Sequence, residues 1–562
     1  MRRRPYLIFN EVQILHGCSK LLVKIVIVIQ TVCEVKLVIF NFYLLLIDQE
    51  DMIFQALLLV LAVLLYIYGT RNHKYWEKRG VKHGRTLPFI GTNFSTMLAL
   101  KSLSQKCAEE YWRFPNEKVV GMYRLSKPIL VIRDPDIIQK VLISDFNSFY
   151  PRGFILNRKN VEPMMRNLFF ADGDLWRLLR QRMTPAFTSG KLKAMFPLIV
   201  ERAEKLQSRL SEIAASGLQI DARDLMARFT TDFIGACAFG LNADSLSDEN
   251  SAFRQLGVKM FKVPLSLIVK EIFKLILPGF IRTHMKTMSY FEQDIIDLVQ
   301  QIQKQRNYQK SDRNDFIDLM MECKEKGMMT GDSIENINEN GVPEKVSLEM
   351  TDELIAAQVF VFFAAGFETS STATSYTLHQ LAYNPQVQKK VQENVDRVLA
   401  KHNNKLSFEA VREMTYLDWS LKEGMRMFPT AGYLKRECAR KYTFSDLNLT
   451  IDEGTGICIP LQALHNDPKY FEDPEVFNPD RFNPENLSKN SKRVYFPFGT
   501  GPRACIGERL GQMQSLAGLA AVISKFSVEP APESMRHPVV DPRSHFIQGI
   551  KGGLPLYFRE RV

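Results

Sequence analysis

The sequence predicts a mainly α-helical protein with a small β-rich region, preceded by an N-terminal membrane anchor. Three observations predict it. One apolar helical run covers residues 351–383 and stops at Asn384-Pro385, because a residue before proline is pushed out of the helical region. Two short alternating stretches, 118–122 and 129–132, read as strands of a small sheet. Residues 53–68, IFQALLLVLAVLLYIY, are apolar apart from Gln55 and are followed by Arg71, Lys74, Lys78, Arg79, Lys82 and Arg85. That is close to the minimum length of a membrane span, with a basic flank.

The 562 residues carry a net charge of +11, with 46% hydrophobic and 24% charged residues. Such a length buries one large core or several ordinary ones. The basic balance favours an acidic partner or an anionic surface. Nucleic acid is set aside as a partner, since no zinc-finger spacing and no basic helical arm is present. The eight cysteines (Cys18, Cys33, Cys107, Cys237, Cys323, Cys438, Cys458, Cys505) form no C-x-x-C pair. Scattered thiols in a long chain fit a reducing compartment.

The basic residues after the apolar run place its C-terminal side in the cytosol. It lacks a small-x-small cleavage site, so residues 52–70 read as a retained signal-anchor. Residues 1–51 admit two readings. The stretch 21–47 is apolar but holds Lys24, Glu34, Lys36 and Asn41, each costly at mid-bilayer. It is either a poor first span of a hairpin or sequence upstream of a physiological start at Met52, the reading favoured here. Residues 71–95 read as a basic and Pro/Gly hinge, with Pro88 and Gly91 fixing its path. Residues 96–562 then form one domain.

Trp176 and Arg180 stand four apart in GDLWRLLRQR, on one helical face. An indole N–H and a guanidinium there can both hydrogen-bond a carboxylate. Residues 220–246 read as an amphipathic helix and a turn, all core and without chemistry. Residues 254–290 mix Phe, Ile and Leu with Lys, and Pro264 and Pro278 break the helices. They either dip into a membrane surface and roof a pocket, or are two plain packed helices. Residues 324–347, rich in Gly, Asn, Lys and Glu, read as an exposed loop.

At the centre of the 351–383 helix lie Ala365-Gly366-Phe367-Glu368-Thr369. A buried carboxylate needs a reason. Glycine and its small neighbours leave room beside the helix for a diatomic molecule and a water. Thr369 can donate to either, and Glu368 can pass protons inward. Glu423 and Arg426 stand three apart in SLKEGMRMFP, and Gly424 between them costs about 1 kcal/mol against alanine.

The last stretch is FGTGPRACIG, residues 498–507. It holds Phe498, Gly501, Arg503, Cys505 and Gly507 just before an Ala/Leu-rich helical run. Cys505 therefore sits at a helix N-terminus, where backbone N–H groups favour a thiolate. The glycines allow a tight turn and close approach to something flat. An amide-held thiolate, an aromatic and a cation for an acid group make a proximal haem pocket with cysteine as the axial ligand of iron.

This stretch resembles the cysteine-ligand signature of the cytochrome P-450 superfamily, and residues 365–369 resemble its A-G-x-[DE]-T motif. The resemblance covers roughly residues 52–562. It implies a cytochrome P-450 fold, a large helical domain plus a small sheet domain around haem b. It implies that Ala365 borders haem and that Trp176 and Arg180 meet a propionate. It also implies that Glu423, Arg426 and the later Arg481 form a buried structural network. A further propionate partner is Tyr433 or Arg436. The substrate pocket it implies is Phe154, Met164, Phe169, Phe363, Ala365, Tyr433 and Phe546. Within the superfamily, 220–246 most resembles insect microsomal members of the detoxification type.

The implied function is an NADPH-dependent monooxygenation of lipophilic small molecules by O2, xenobiotics such as plant toxins and insecticides above all. The alternatives are a hydroxylase specific for an endogenous sterol, hormone or fatty acid, and a non-catalytic haem-thiolate protein. No dinucleotide fingerprint is visible, so electrons come through a separate partner. By resemblance that partner is NADPH–cytochrome P-450 reductase, with cytochrome b5 as a second, at the endoplasmic reticulum membrane with the catalytic domain in the cytosol. Lys191, Lys193, Lys492 and Arg493 are the expected docking residues.

Overall fold

The computed structural model describes residues 49–561 except 156–160, 241–243, 249–250, 252–254, 256, 258–291, 312–314 and 545. The readings of residues 1–48 and nearly all of 254–290 fall outside the described residues. The chain divides into two compact units, 1–69 and 70–562.

In the first unit, helix α1 runs over Gln49–Thr70. Its large apolar side chains from Phe54 to Tyr68 all face outward. A continuous apolar surface of this extent needs a non-aqueous cover.

The second unit holds the following elements in order. Helix α2 is Leu103–Arg113, opened by a capping box on Ser102. Strands β1 (Val119–Arg124) and β2 (Lys127–Ile132) form a hairpin. Helices α3 (Gly173–Met183) and α4 (Ser189–Ser216) follow, then β3 (Ile220–Asp221) and helix α5 (Ala222–Ile234). Strands β4 (Met329–Ile337) and β5 (Pro343–Leu348) precede the long helix α6 (Asp352–Tyr383). Next come α7 (Pro385–Lys401), α8 (Thr415–Met427), β6 (Leu434–Glu437) and β7 (Gly456–Ile459). Helix α9 (Glu508–Lys525) and strands β8 (Phe526–Pro530) and β9 (Pro555–Glu560) close the chain.

Helix α6 is the axis. Thr351 caps it by accepting the Leu354 N–H at 3.2 Å, and α5, α8 and α9 pack along it. The main sheet has the order β1-β2-β7-β6. In it β2 and β7 run parallel and β6 pairs β7 antiparallel, Lys435 opposite Cys458 and Arg436 opposite Ile457. A second sheet has the order β8-β9-β3. This is the mainly α chain with small sheets that the sequence predicts.

Two sequence readings change. Residues 324–347 are not a plain loop, because β4 and β5 pair as an antiparallel hairpin. Its turn is closed by Asn338 and Gly341, whose N–H donates to the Asn338 carbonyl at 2.9 Å. Polar composition hid a strand pair that packs on α3. Residues 71–95 are not a free hinge either. Trp76 is fully buried, and its Nε1–H donates to the Met122 carbonyl at 3.1 Å. A Cβ on Gly121 would come within 2.5 Å of the Trp76 ring, so the segment is seated on β1 through a missing side chain.

Candidate functional site

Cys505 lies where a tight loop becomes α9. Gly499 and Gly501 adopt φ of +72° and +75°, a region that side chains disfavour. The Cys505 N–H donates to the Phe498 carbonyl at 2.8 Å and the Ala504 N–H to that of Gly501 at 2.9 Å. Phe498 packs beside Gly511 of α9. Among the described residues Cys505 is the one exposed cysteine, yet protein crowds around it. Its side chain is accessible from within that crowd of protein. Burial pushes the thiol up in pKa; the Gly507 N–H, Arg152 and Arg180 pull it down, and burial prevails. The sequence expectation that the helix terminus favours the thiolate is therefore outweighed. A metal cation at the sulfur would supply the missing charge.

Above this loop three arginines lie in the field of one carboxylate, which bonds the guanidinium of one and the backbone of another. Arg503 Nη2 donates to Asp172 Oδ1 at 2.8 Å, and the Arg152 N–H reaches the same oxygen at 2.7 Å. Arg503 also lies over the Trp176 ring, 4.4 Å from its centroid. Arg436 joins them electrostatically, and burial lowers Arg152 to about 10, Arg436 to about 9 and Arg503 well below its ordinary value. Arg503 Nε, Arg503 Nη1 and Arg436 Nε are buried with nothing to bond. Buried donors of this kind call for acceptors. Three cations against one carboxylate leave an excess of two positive charges, which matches the two propionates of haem. The residues present therefore fit haem.

The other predicted contacts sort cleanly. Arg180 Nη1 donates to the Ala504 carbonyl at 2.8 Å, so Trp176 and Arg180 both brace the cysteine loop. Of Tyr433 and Arg436, Arg436 belongs to the cation cluster, while Tyr433 packs in an apolar group with Met122, Val131 and Phe546. Arg152 escaped sequence reasoning; nothing in Tyr150-Pro151-Arg152-Gly153 marks it.

On the opposite side, Ala365 is exposed in the middle of a buried helix, and Thr369 is half-exposed one turn later. Thr369 Oγ1 donates to the Ala365 carbonyl at 2.6 Å. The opening is thus on the Ala365 face. Gly366 does not provide it, because a Cβ there would strike Ile234 of α5. Its smallness brings two helices together. Glu368 is buried and paired with the Arg223 guanidinium of α5. The stretch read as having no chemistry therefore supplies the acid's ion-pair partner, 145 residues away in sequence.

The predicted ion network forms. Arg426 grips Glu423 through Nε at 2.7 Å and Nη2 at 2.9 Å, and Arg481 Nε reaches Glu423 Oε1 at 3.3 Å. Both Glu423 and Arg426 are fully buried, and Arg426 also donates to the carbonyls of His465 and Pro474. Gly424 earns its place here, since a Cβ would lie 2.5 Å from Thr377 Oγ1 of α6.

Of the predicted pocket residues, Phe154, Phe169 and Phe546 meet. Their ring centroids lie 5.7, 5.9 and 4.9 Å apart, with Phe170 added 5.0 Å from Phe169. Tyr433 stands 5.9 Å from Phe546. Among the described residues Phe363 and Met164 are not part of this ring group. Phe363 is fully buried between Phe239 and Phe367, nearly opposite Ala365 on the helix. Met164 is fully enclosed in the helical core.

The outer face of the cysteine loop borders a concavity of about 550 Å³, lined by Phe498, Gly499 and Thr500 with Lys422, Lys492 and Arg493. Of the four expected docking residues, Lys492 and Arg493 line it. Lys191 and Lys193 do not; Lys193 pairs with Glu409 at 2.5 Å.

The family model described as Cytochrome P450 matches residues 82–554. Cytochrome P450 6B6 of Helicoverpa armigera is 37% identical over 505 residues, 89% of this chain and 97% of that protein. Cytochrome P450 6B1 of Papilio polyxenes is 37% identical over 502 residues, 89% of this chain and 98% of that protein. Cytochrome P450 6a2 of Drosophila melanogaster is 35% identical over 513 residues, with 89% and 98% covered. A match of that extent, on a fold whose buried cations await a dianion beside an accessible cysteine, makes the chain a member of the cytochrome P450 family, a haem-thiolate monooxygenase related to the insect family-6 enzymes.

Proposed function

We propose that Cys505 is the thiolate ligand of haem and that the enzyme oxidises lipophilic small molecules, foreign compounds such as plant toxins and insecticides among them. What carries this reading is the set of buried guanidinium donors without acceptors beside the accessible Cys505, together with the exposed Ala365 and Thr369 on α6. Bound there, haem supplies the iron on which O2 is reduced and one oxygen atom is passed to a C–H bond.

The chain's own residues do the rest. Arg503, Arg436 and Arg152 would hold the two acid groups of the cofactor. Trp176 backs Arg503, and Arg180 fixes the loop through the Ala504 carbonyl. Ala365 keeps the distal side open. Thr369 holds its hydroxyl proton on the Ala365 carbonyl, and the hydroxyl can donate instead to a molecule lying on the Ala365 face. Glu368, paired with Arg223, is the acid behind it that can relay protons from water. Phe154, Phe169, Phe170 and Phe546 give substrate an aromatic wall.

Electrons come singly from NADPH through NADPH–cytochrome P-450 reductase, with cytochrome b5 as a second donor. Lys422, Lys492 and Arg493 offer such acidic partners a basic concavity over the cysteine loop. The exposed apolar helix α1 supports an anchor over residues 52–70, at the endoplasmic reticulum with the domain in the cytosol.

The test is the CO difference spectrum of reduced protein in membranes, beside Cys505→Ala. A band near about 450 nm, lost in the variant, is the expected result. A band typical of histidine-ligated haem would overturn the assignment.

A further inference from the structure

We infer that Lys435 is a recognition point for an anionic group, so that this site takes lipophilic substrates that carry a carboxylate. The inference rests on the haem-thiolate reading for where substrate lies.

Lys435 sits on β6, the edge strand of the main sheet. Neighbouring residues of a strand point to opposite faces. Arg436 reaches the cation cluster; Lys435 turns the other way, toward the aromatic wall. Its Nζ lies 4.6 Å from the Phe154 ring centroid and donates to the Gly153 carbonyl at 2.5 Å. Phe154 is the ring that stacks on Phe169 and meets Phe546. All three rings are only partly buried. The ammonium therefore stands against a partly exposed aromatic wall.

No carboxylate neutralises it. Four charged groups act on Lys435: Lys127, Arg124, Glu437 and Asp172. Two are cations. Glu437 is held by Lys127 Nζ at 2.6 Å. Asp172 is held by Arg503 Nη2 at 2.8 Å and by the N–H groups of Arg152 and Gly153. Among the described residues the ammonium contacts the Gly153 carbonyl and a ring face, and no carboxylate lies within ion-pair distance of it. Two of its three donors are unused. Burial pulls its pKa down to about 7. The propionates answer the charge of the three arginines, which leaves this cation over. A desolvated cation on an apolar wall is costly until an anion meets it, and a substrate carboxylate can do so while its apolar body lies along the rings.

The test uses the holoenzyme titrated with decanoate and with methyl decanoate, equal in length and different in charge. Binding is read twice, by the spin-state shift of the Soret band and by calorimetry. Decanoate is expected to bind at least about tenfold tighter, as a hydrogen bond to a charged group should give. Lys435→Met should erase the difference and leave methyl decanoate within about twofold. Lys435→Arg should keep it. Lys435→Glu should reverse it, so that decyltrimethylammonium binds more tightly than decanoate. Equal wild-type affinities, binding of neither ligand, or a preference that survives Lys435→Met would overturn the inference. The CO spectrum of each variant reports folding and the thiolate. Loss of that band in wild type sinks the haem-thiolate reading, whereas the calorimetric preference judges Lys435.

Discussion

Gly501 and Gly507 stand on either side of Arg503 and Cys505, and the backbone asks different things of them. Gly501 has φ of +75°, and a Cβ there would strike the Leu142 carbonyl oxygen. Gly507 caps α9 at φ of −90°, and the nearest atom to its Cβ position is Cys505 Sγ at 4.0 Å. Gly501→Ala should therefore cost about 1–3 kcal/mol. Gly507→Ala should cost less than about 0.5 kcal/mol. Urea midpoints of the two variants decide it; equal losses would mean that conformation is not what fixes Gly501. In the sequence the two glycines look alike, as parts of one motif. Composition and spacing reveal that a turn exists, whereas the sign of φ and the carbonyl in the way belong to the fold. The same holds for Arg223, which pairs with Glu368 across 145 residues of chain and has no local signature.

Helix α6 was legible because its apolar run, its cap and its terminating Asn384-Pro385 are all local. Strands β1 and β2 were legible from alternation. The β4–β5 hairpin was not, since its exposed faces carry the polar residues of a loop. Nor was the reason for glycine at 366 and 424, which lies in the neighbouring helices. The tight packing of α6 also sets its response to acid. His379, fully buried on this helix, has Nε2 3.0 Å from the Met535 carbonyl oxygen, and burial pulls its pKa to about 4. The unfolded chain binds that proton near about 6.5. Between those values, falling pH protonates the unfolded state and not the folded one, so stability declines as pH drops. The loss due to His379 should reach about 2 kcal/mol at about pH 5. His465, lowered to about 3, acts in the same direction. Melting temperatures between about pH 7.5 and pH 5 test this. His379→Gln should flatten the slope, and an unchanged slope would show that His379 does not titrate as a buried neutral ring.

At the scale of the molecule the question is where the catalytic unit begins. Composition suggests a basic hinge up to residue 95, but contacts begin it earlier, and the second compact unit opens at Thr70. Trp76 and β1 meet although they are 46 residues apart at the Met122 hydrogen bond, a distance at which no window of sequence reports contact. Beyond the indole, Arg79 donates to the Thr450 carbonyl at 2.9 Å and pairs with Asp452 at 2.6 Å. The Lys82 carbonyl accepts the Gly121 N–H at 2.8 Å. A chain begun at Thr70 keeps all of these contacts and loses the apolar helix. It should fold, load haem and leave the membrane fraction. A chain begun at Gly91 loses Trp76 and should be weaker by about 3–5 kcal/mol, the usual loss for a buried indole. Comparing the two by thermal melting and by retained haem absorbance separates anchor from structure. If the shorter chain melts with the longer one, the segment is an accessory strap; if it does not, the catalytic domain starts at its own tryptophan.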